Sequence, residues 1–266
     1  MLAEWSIKRV LITVRTYPTP ARRGVEVSCT AGIAVNGEWV RLYPIPYRSL
    51  DEDQKFVKYQ WVEVSVIKAR NDTRPESYTP NLDSIKTFNV MPTTDNWRER
   101  RALIQPLIRP SLCAIQNERD RNKFPTLGLF KPRRIDRFVI ESADSSWSSV
   151  QLEKLNQTLS LFGTTPQAQL EKIPFSFKYE FHCDDNACPG HTLSCTDWEL
   201  AQSYRRWRHE YRANWQDALR QKYETEMINR FDTYFFVGNL HQYPNAWIIV
   251  GLFYPLKPAM GDLFDR

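Results

Sequence analysis

Between Phe181 and Cys195 the chain places three of its five cysteines and two of its four histidines. Cys183, Cys188, His191 and Cys195 run C-x4-C-x2-H-x3-C, and thiolates with an imidazole are the ligand set that a borderline-soft ion such as zinc takes in tetrahedral geometry. Pro189-Gly190 supplies a tight turn that returns a short loop to one ion. His182 is an alternative to Cys195 as the fourth ligand. Four protein ligands close the tetrahedron, whereas a catalytic zinc keeps one position open for water, so the expectation is a structural zinc.

A second group with chemical potential occupies residues 71–78, where Asp72, Arg74, Glu76, Ser77 and Tyr78 follow a predicted strand. Functional groups concentrate on such loops. No local structural use for the carboxylates is visible in the sequence, which makes Asp72 and Glu76, with His241, the candidate general acid/base residues. Asp197 and Glu199 are weaker candidates, because Thr196-Asp197-Trp198-Glu199 matches a capping box with Thr196 as the cap. Cys29 and Cys113 read as small core residues, and His209 as a surface residue.

Aromatic rings beside arginines are a cue for nucleic acid, since bases stack on rings and on guanidinium planes. Trp39, Arg41 and Tyr43 alternate along one strand and so share a face, with Tyr47 and Arg48 just beyond. Between Trp97 and Arg137 there are eleven basic residues against four acidic ones, although the whole chain carries only +5. Arg98, Arg100, Arg101, Arg133, Arg134 and Arg137 are the candidate phosphate contacts of that stretch. Together these predict a nucleic-acid partner, DNA or RNA.

The elements that must position these residues follow from pattern. With 266 residues, 42% hydrophobic and 25% charged, the chain is long enough for one large or two modest cores. The first residues lack a basic start with an apolar run, and no stretch reaches the roughly 18 apolar residues of a membrane span. Five mostly clustered cysteines suit a reducing compartment. These features predict a cytoplasmic protein with no membrane association.

Lys8 to Thr16, Val25 to Val35, Glu38 to Tyr43 and Tyr59 to Ala69 read as strands, with Asn36-Gly37 setting a type I′ hairpin. Residues 71–92 read as a loop, 95–108 as a helix, 124–132 as a loop, 134–141 as a strand and 145–162 as a short helix. Leu200, Tyr204, Trp207, Tyr211, Trp215 and Leu219 recur at three and four, predicting one long helix from the cap to about Arg230. Residues 233–237 and 247–254 read as buried strands. The expected fold is α+β: a small curved β-sheet or barrel over 1–145, then a zinc-stapled α/β domain over 146–266 with one long helix.

The residues Phe181-x-Cys183-x4-Cys188-x2-His191-x5-Asp197-Trp198-Glu199, with Tyr234-Phe235-Phe236-Val237-Gly238-Asn239 and Trp247-Ile248-Ile249-Val250-Gly251, resemble a bacterial family of uncharacterised proteins. Glu38-Trp39-Val40-Arg41-Leu42-Tyr43-Pro44 and Arg48 belong to the same resemblance, which spans most of the chain. It implies a prokaryotic origin and one co-inherited architecture, and no residue roles.

The reading is a zinc-binding prokaryotic protein that binds or processes nucleic acid, in a defence or mobile-element setting. One alternative is a metal-supported nuclease or base-processing hydrolase, such as a DNA glycosylase, using the Asp72, Glu76 and His241 group. Another is a protein-interaction adaptor with no nucleic acid.

Overall fold

The computed structural model describes residues 4–20, 26–153, 155 and 170–258. The chain forms two compact units, Met1–Met91 with Ser142–Phe175, and Pro92–Glu141 with Ser176–Arg266.

In the first unit, β-branched runs fold into β1 (Ser6–Arg15), β3 (Glu26–Ala34), β4 (Trp39–Ile45), β5 (Gln60–Lys68) and β6 (Ser77–Pro80), with β2 (Thr19–Pro20) and β7 (Lys86–Val90) added outside. β1 pairs antiparallel with both β3 and β5. β3 continues antiparallel to β4, β4 pairs parallel to β6, and β6 returns antiparallel to β5. The five strands therefore close on themselves as a barrel. Alternation fills it: Val10, Ile12, Val40, Leu42, Val62, Val64 and Val66 form its core, with Leu50, Phe56 and Ile85 packed in. At Gly32 a side chain has no room, since a Cβ there would lie 2.1 Å from the Leu11 carbonyl oxygen.

The hairpin between β3 and β4 forms as expected, but its turn differs. Gly37 alone of the Asn36-Gly37 pair is left-handed, at φ 83°, so the type I′ turn, which needs positive φ at both positions, is not made. The expected loop over residues 71–92 instead contains β6 and β7. β6 is only four residues long, and its register is set by partners on both sides rather than by its own hydrophobicity.

The second unit starts with α1 (Thr94–Ile104) and β8 (Ile108–Arg109), then α2 (Leu112–Asn122) and β9 (Leu127–Phe130). β8 and β9 run parallel, as a strand–helix–strand crossover requires. With β13 (Tyr234–Asn239) and β14 (Trp247–Phe253) they form a sheet in the order β14-β13-β9-β8. β10 (Arg134–Ser142), β11 (Phe175–His182) and β12 (His191–Ser194) form a second sheet. Phe130, Phe138, Tyr179, Phe181 and Phe235 interlock with ring centroids 5.0 to 6.0 Å apart. Residues 124–132, expected as a loop, contain β9, and α2 lies where the pattern predicts no element.

Two expectations for the long helix are corrected. Its cap is Asp197, not Thr196: Asp197 Oδ1 accepts from the backbone N–H groups of Glu199 (2.8 Å) and Leu200 (3.3 Å), while Oδ2 accepts from Leu252 N–H (3.2 Å). The Thr196 hydroxyl donates to the Ile249 carbonyl instead. Nor is the helix continuous. α3 (Trp198–Glu210) ends where Arg212 turns left-handed, at φ 49°, and α4 begins at Trp215, passing through a π-helical turn (Gln221–Glu226) to Asn229. Tyr204 and Trp215, both on the predicted apolar stripe, pack edge-on at 5.0 Å across the break. Of the helix expected over 145–162, residues 149–153 and 155 are helical, and 154 and 156–169 lie outside the described residues. Among the described residues no helix is long and apolar enough to cross a membrane.

Candidate metal centre

Cys113, Cys183, Cys188 and His191 bring their ligand atoms within 4.8 Å of one another. The β11–β12 hairpin delivers three of them: Cys183 follows the last residue of β11, Cys188 lies in the connecting loop, and His191 opens β12 opposite Phe181. Local chemistry bends that loop. The Asp185 carboxylate accepts from Ala187 N–H (2.9 Å), the Cys188 N–H donates to the Asp185 carbonyl (3.0 Å), and Gly190 takes φ 83°. A Cβ on Gly190 would sit 3.0 Å from His182 Nε2, so a side chain there would push the His182 ring as well as strain the turn.

The fourth member of the group comes from the first turn of α2. Ser111 caps that helix, accepting from Ala114 N–H at 2.9 Å, and Cys113 Sγ lies 3.2 Å from His191 Nε2. The backbone N–H groups of Leu112 and Cys113 point at the Cys183 sulfur. Cys188 Sγ accepts from Cys183 N–H at 3.3 Å and from the Gly190 N–H. A helix N-terminus and amide donors aimed at sulfur both favour the thiolate.

The electrostatics of the group suit a cation. Burial, then the neighbouring Cys183, pushes the Cys113 thiol up to about 12. Burial raises Cys183 as well, against its amide donors. At Cys188 burial also acts upward, but the Cys183 and Gly190 amides outweigh it and bring the thiol below its ordinary value. Burial and the nearby His182 lower His191, which keeps its imidazole neutral and able to donate a lone pair. Three thiols this close repel one another once ionised, and a divalent cation converts that repulsion into attraction. The Cys3His set fits a metal ion such as zinc.

Cys195 is corrected as a ligand. It lies four residues beyond His191, about 13 Å along an extended strand. There its N–H donates to the Phe177 carbonyl (2.7 Å) and it bridges to Ile249 in the sheet. His182 is not the replacement either: the four ligand atoms that converge are those of Cys113, Cys183, Cys188 and His191, while His182 Nδ1 sits 2.7 Å from Asp136 Oδ2. Cys113, read from sequence as core, takes the place seventy residues upstream. An unpaired cysteine just after a serine able to cap a helix was the available clue.

The loop carboxylates are not uncommitted. Asp72 is held by Arg74, with Nε to Oδ1 at 2.8 Å and Nη2 to Oδ2 at 2.6 Å. Burial pushes the Asp72 carboxyl up, but hydrogen bonds from Arg74 and Ser77 and the Arg74 charge outweigh it and hold the group at about 2. Glu76 is buried and accepts from Arg41 Nη2 at 3.3 Å. The premise that nothing local uses these groups is therefore corrected, since a carboxylate fixed by a guanidinium is a weak base. Asp72 and Glu76 belong to the barrel unit, and His241 is exposed in the loop between β13 and β14 of the other unit.

On β4, Arg41 is buried at 3% exposure, Trp39 is half-buried and Tyr43 is 45% exposed. Arg48 pairs with Glu26 at 2.8 Å. The expected face of ring, guanidinium and ring is thus interrupted by a buried ion pair. In the arginine-rich segment, Arg100 is buried over the Trp97 ring. Arg98 pairs with Asp95, Arg101 with Asp232, Arg134 with Asp136 and Arg137 with Glu180. Arg133 is exposed.

A closed five-stranded barrel and an α+β unit built around three cysteines and a histidine define the class. Residues 108–266 match the family described as Domain of unknown function (DUF8757), and the chain belongs to that family. Residues 6–106 match a second, described as Domain of unknown function (DUF8758). None of the curated proteins compared with the chain matches it.

Proposed function

We propose that this protein binds nucleic acid through its barrel unit and that the Cys113, Cys183, Cys188 and His191 centre holds a structural zinc. The observation that carries the first part is the strand order. Counting only the barrel strands, the neighbours run first, second, third, fifth, fourth and back to first, with the third and fifth parallel. That is the topology of the OB barrel, whose sheet face and loops bind oligonucleotides and oligosaccharides. Fold alone does not fix function, and a surface feature supports the nucleic-acid choice. Arg9 on β1 lies over the Phe88 ring at 4.7 Å and the Trp61 ring at 5.7 Å, beside the exposed Ile7, Phe88 and Val90. Rings with a guanidinium in solvent form a stacking platform for single-stranded bases. The zinc assignment rests on the sulfur-rich donor set, and its structural role on four protein ligands that leave no position for substrate.

The test is fluorescence anisotropy with single-stranded DNA and RNA oligonucleotides across a salt series. Affinity should fall steeply with salt. Arg9→Ala combined with Phe88→Ala should weaken it by about tenfold, the scale of one lost stacking contact. Absence of binding to either polymer at low salt would overturn the reading and favour the adaptor alternative.

A further inference from the structure

The parallel pairing of β8 and β9 has the chain leave both strands at the same end. Residues that follow them, Pro110 on one side and Lys131, Pro132 and Arg133 on the other, wall a cavity of about 470 Å³ together with Arg109 and Asp184 of the metal-binding loop. Three cationic side chains and one carboxylate line it, and two of the cations are already paired. Arg109 pairs with Glu118, and Lys131 with Asp232 at 2.5 Å. Arg133 is different: among the described residues its guanidinium has no ion pair or hydrogen bond, while its backbone N–H is anchored to the His182 carbonyl at 2.9 Å. The side chain is thus held at its base and free at its tip. Pro110 and Pro132 fix φ beside these residues, so less conformational freedom is lost on binding.

We propose that this cavity is a binding site for a phosphoryl group. The volume lies within the range of ligand pockets. A phosphoryl group offers three oxygens to donors arriving from separate directions, and the guanidinium fork of Arg133 can engage two of them. A single carboxylate would leave part of that donor set unused. Resting on the nucleic-acid reading above, the group is a backbone phosphate of the bound strand, which gives the α+β unit its own contact with the polymer. Asp184 opposes an anion in this site, so neutralising it should tighten binding.

The experiment titrates the zinc-loaded 266-residue chain with inorganic phosphate by NMR and with a single-stranded oligonucleotide by anisotropy. Wild type is compared with Arg133→Ala, Lys131→Ala, Asp184→Asn and, as an exposed arginine outside the cavity, Arg98→Ala. Zinc content and thermal melting confirm that each variant is folded. Arg133→Ala should weaken oligonucleotide binding by about tenfold and lower the salt slope by about one, Asp184→Asn should strengthen it, and Arg98→Ala should do less than either. Oligonucleotide binding unchanged in both Arg133→Ala and Lys131→Ala overturns the cavity proposal and leaves the nucleic-acid reading standing. Weaker binding in Asp184→Asn also overturns it. No oligonucleotide binding, but phosphate binding that Arg133→Ala abolishes, overturns the nucleic-acid reading and supports the cavity as a site for small phosphorylated ligands. Binding of neither probe overturns both.

Discussion

In the metal centre, residues from two distant parts of the chain bring four ligand atoms within 4.8 Å of one another. In the arginine-rich segment, neighbours in sequence are carried off to separate carboxylates: Arg101 to Asp232, Arg134 to Asp136 and Arg137 to Glu180. The difference is one of chemistry. Soft donors around a common cation gain by converging, while like charges lower their energy by dispersing onto opposite ones. Density along the sequence is therefore better evidence for a metal site than for a charged surface. Of the six candidate phosphate contacts, Arg133 is the one that reaches a cavity without an ion pair among the described residues.

The largest effect should come from exchanging the two cysteines on which sequence and structure differ. Wild-type protein should carry about one zinc per chain. Cys113→Ser should lose most of it, at a cost above about 4 kcal/mol in urea unfolding, because metal affinity is folding free energy. Cys195→Ser should keep its zinc. The reverse pattern by elemental analysis would return Cys195 to the ligand set and break the contrast between the two regions.

Next in size is the barrel's buried pair. Arg41 and Glu76 are 4% and 9% exposed at their side chains, so Glu76→Gln removes the carboxylate from a buried guanidinium that keeps only its weaker contact with the Cys29 sulfur among those named, and should cost about 3 kcal/mol. A loss below about 1 kcal/mol would mean that water reaches Arg41, and would reopen this face as a binding surface. Asp197→Ala should cost about 2 kcal/mol, since it uncaps α3 and orphans the Leu252 N–H together. Thr196→Ala should cost less than about 1 kcal/mol. Equal losses would restore the threonine as cap.

Much of the fold was legible where a pattern is local. The β3–β4 hairpin, the β-branched run of β1, the apolar alternation of β5, the strands at 234–239 and 247–253, and three of the four residues of the Cys3His cluster follow from spacing of a few residues. What escaped depends on contacts made far along the chain. β6 is a strand because β4 and β5 flank it, although its own four residues carry little apolar signal. Cys113 joins the cluster because the β8–α2–β9 crossover brings a helix N-terminus to a loop seventy residues away. Asp197 caps α3 because Leu252 N–H on β14 also claims its second oxygen, a demand no capping-box pattern contains. The Arg9, Trp61 and Phe88 stack joins three strands and was likewise invisible in one dimension.

The smallest effects separate two aspartate–arginine pairs that look alike in sequence. Asp72 and Arg74 are 17% and 15% exposed at their side chains, against 60% and 74% for Asp95 and Arg98. Folding lowers the Asp72 carboxyl from its ordinary 3.8 to about 2. The stabilisation from that pair is therefore fully present above about pH 4 and is lost as the pH falls towards 2, where the folded protein must also take up the proton. Urea midpoints measured at pH 5, 3 and 2 should fall more steeply for wild type than for Asp72→Asn, which has no proton to bind there. Parallel curves would show that the Arg74 clamp does not persist in solution. Arg98→Ala should shift stability by no more than about 0.5 kcal/mol, since solvent screens an exposed pair and holding two long side chains together costs entropy. A larger loss at Arg98 would mean that the segment's arginines stabilise the fold through their pairs, leaving fewer of them for any anionic partner.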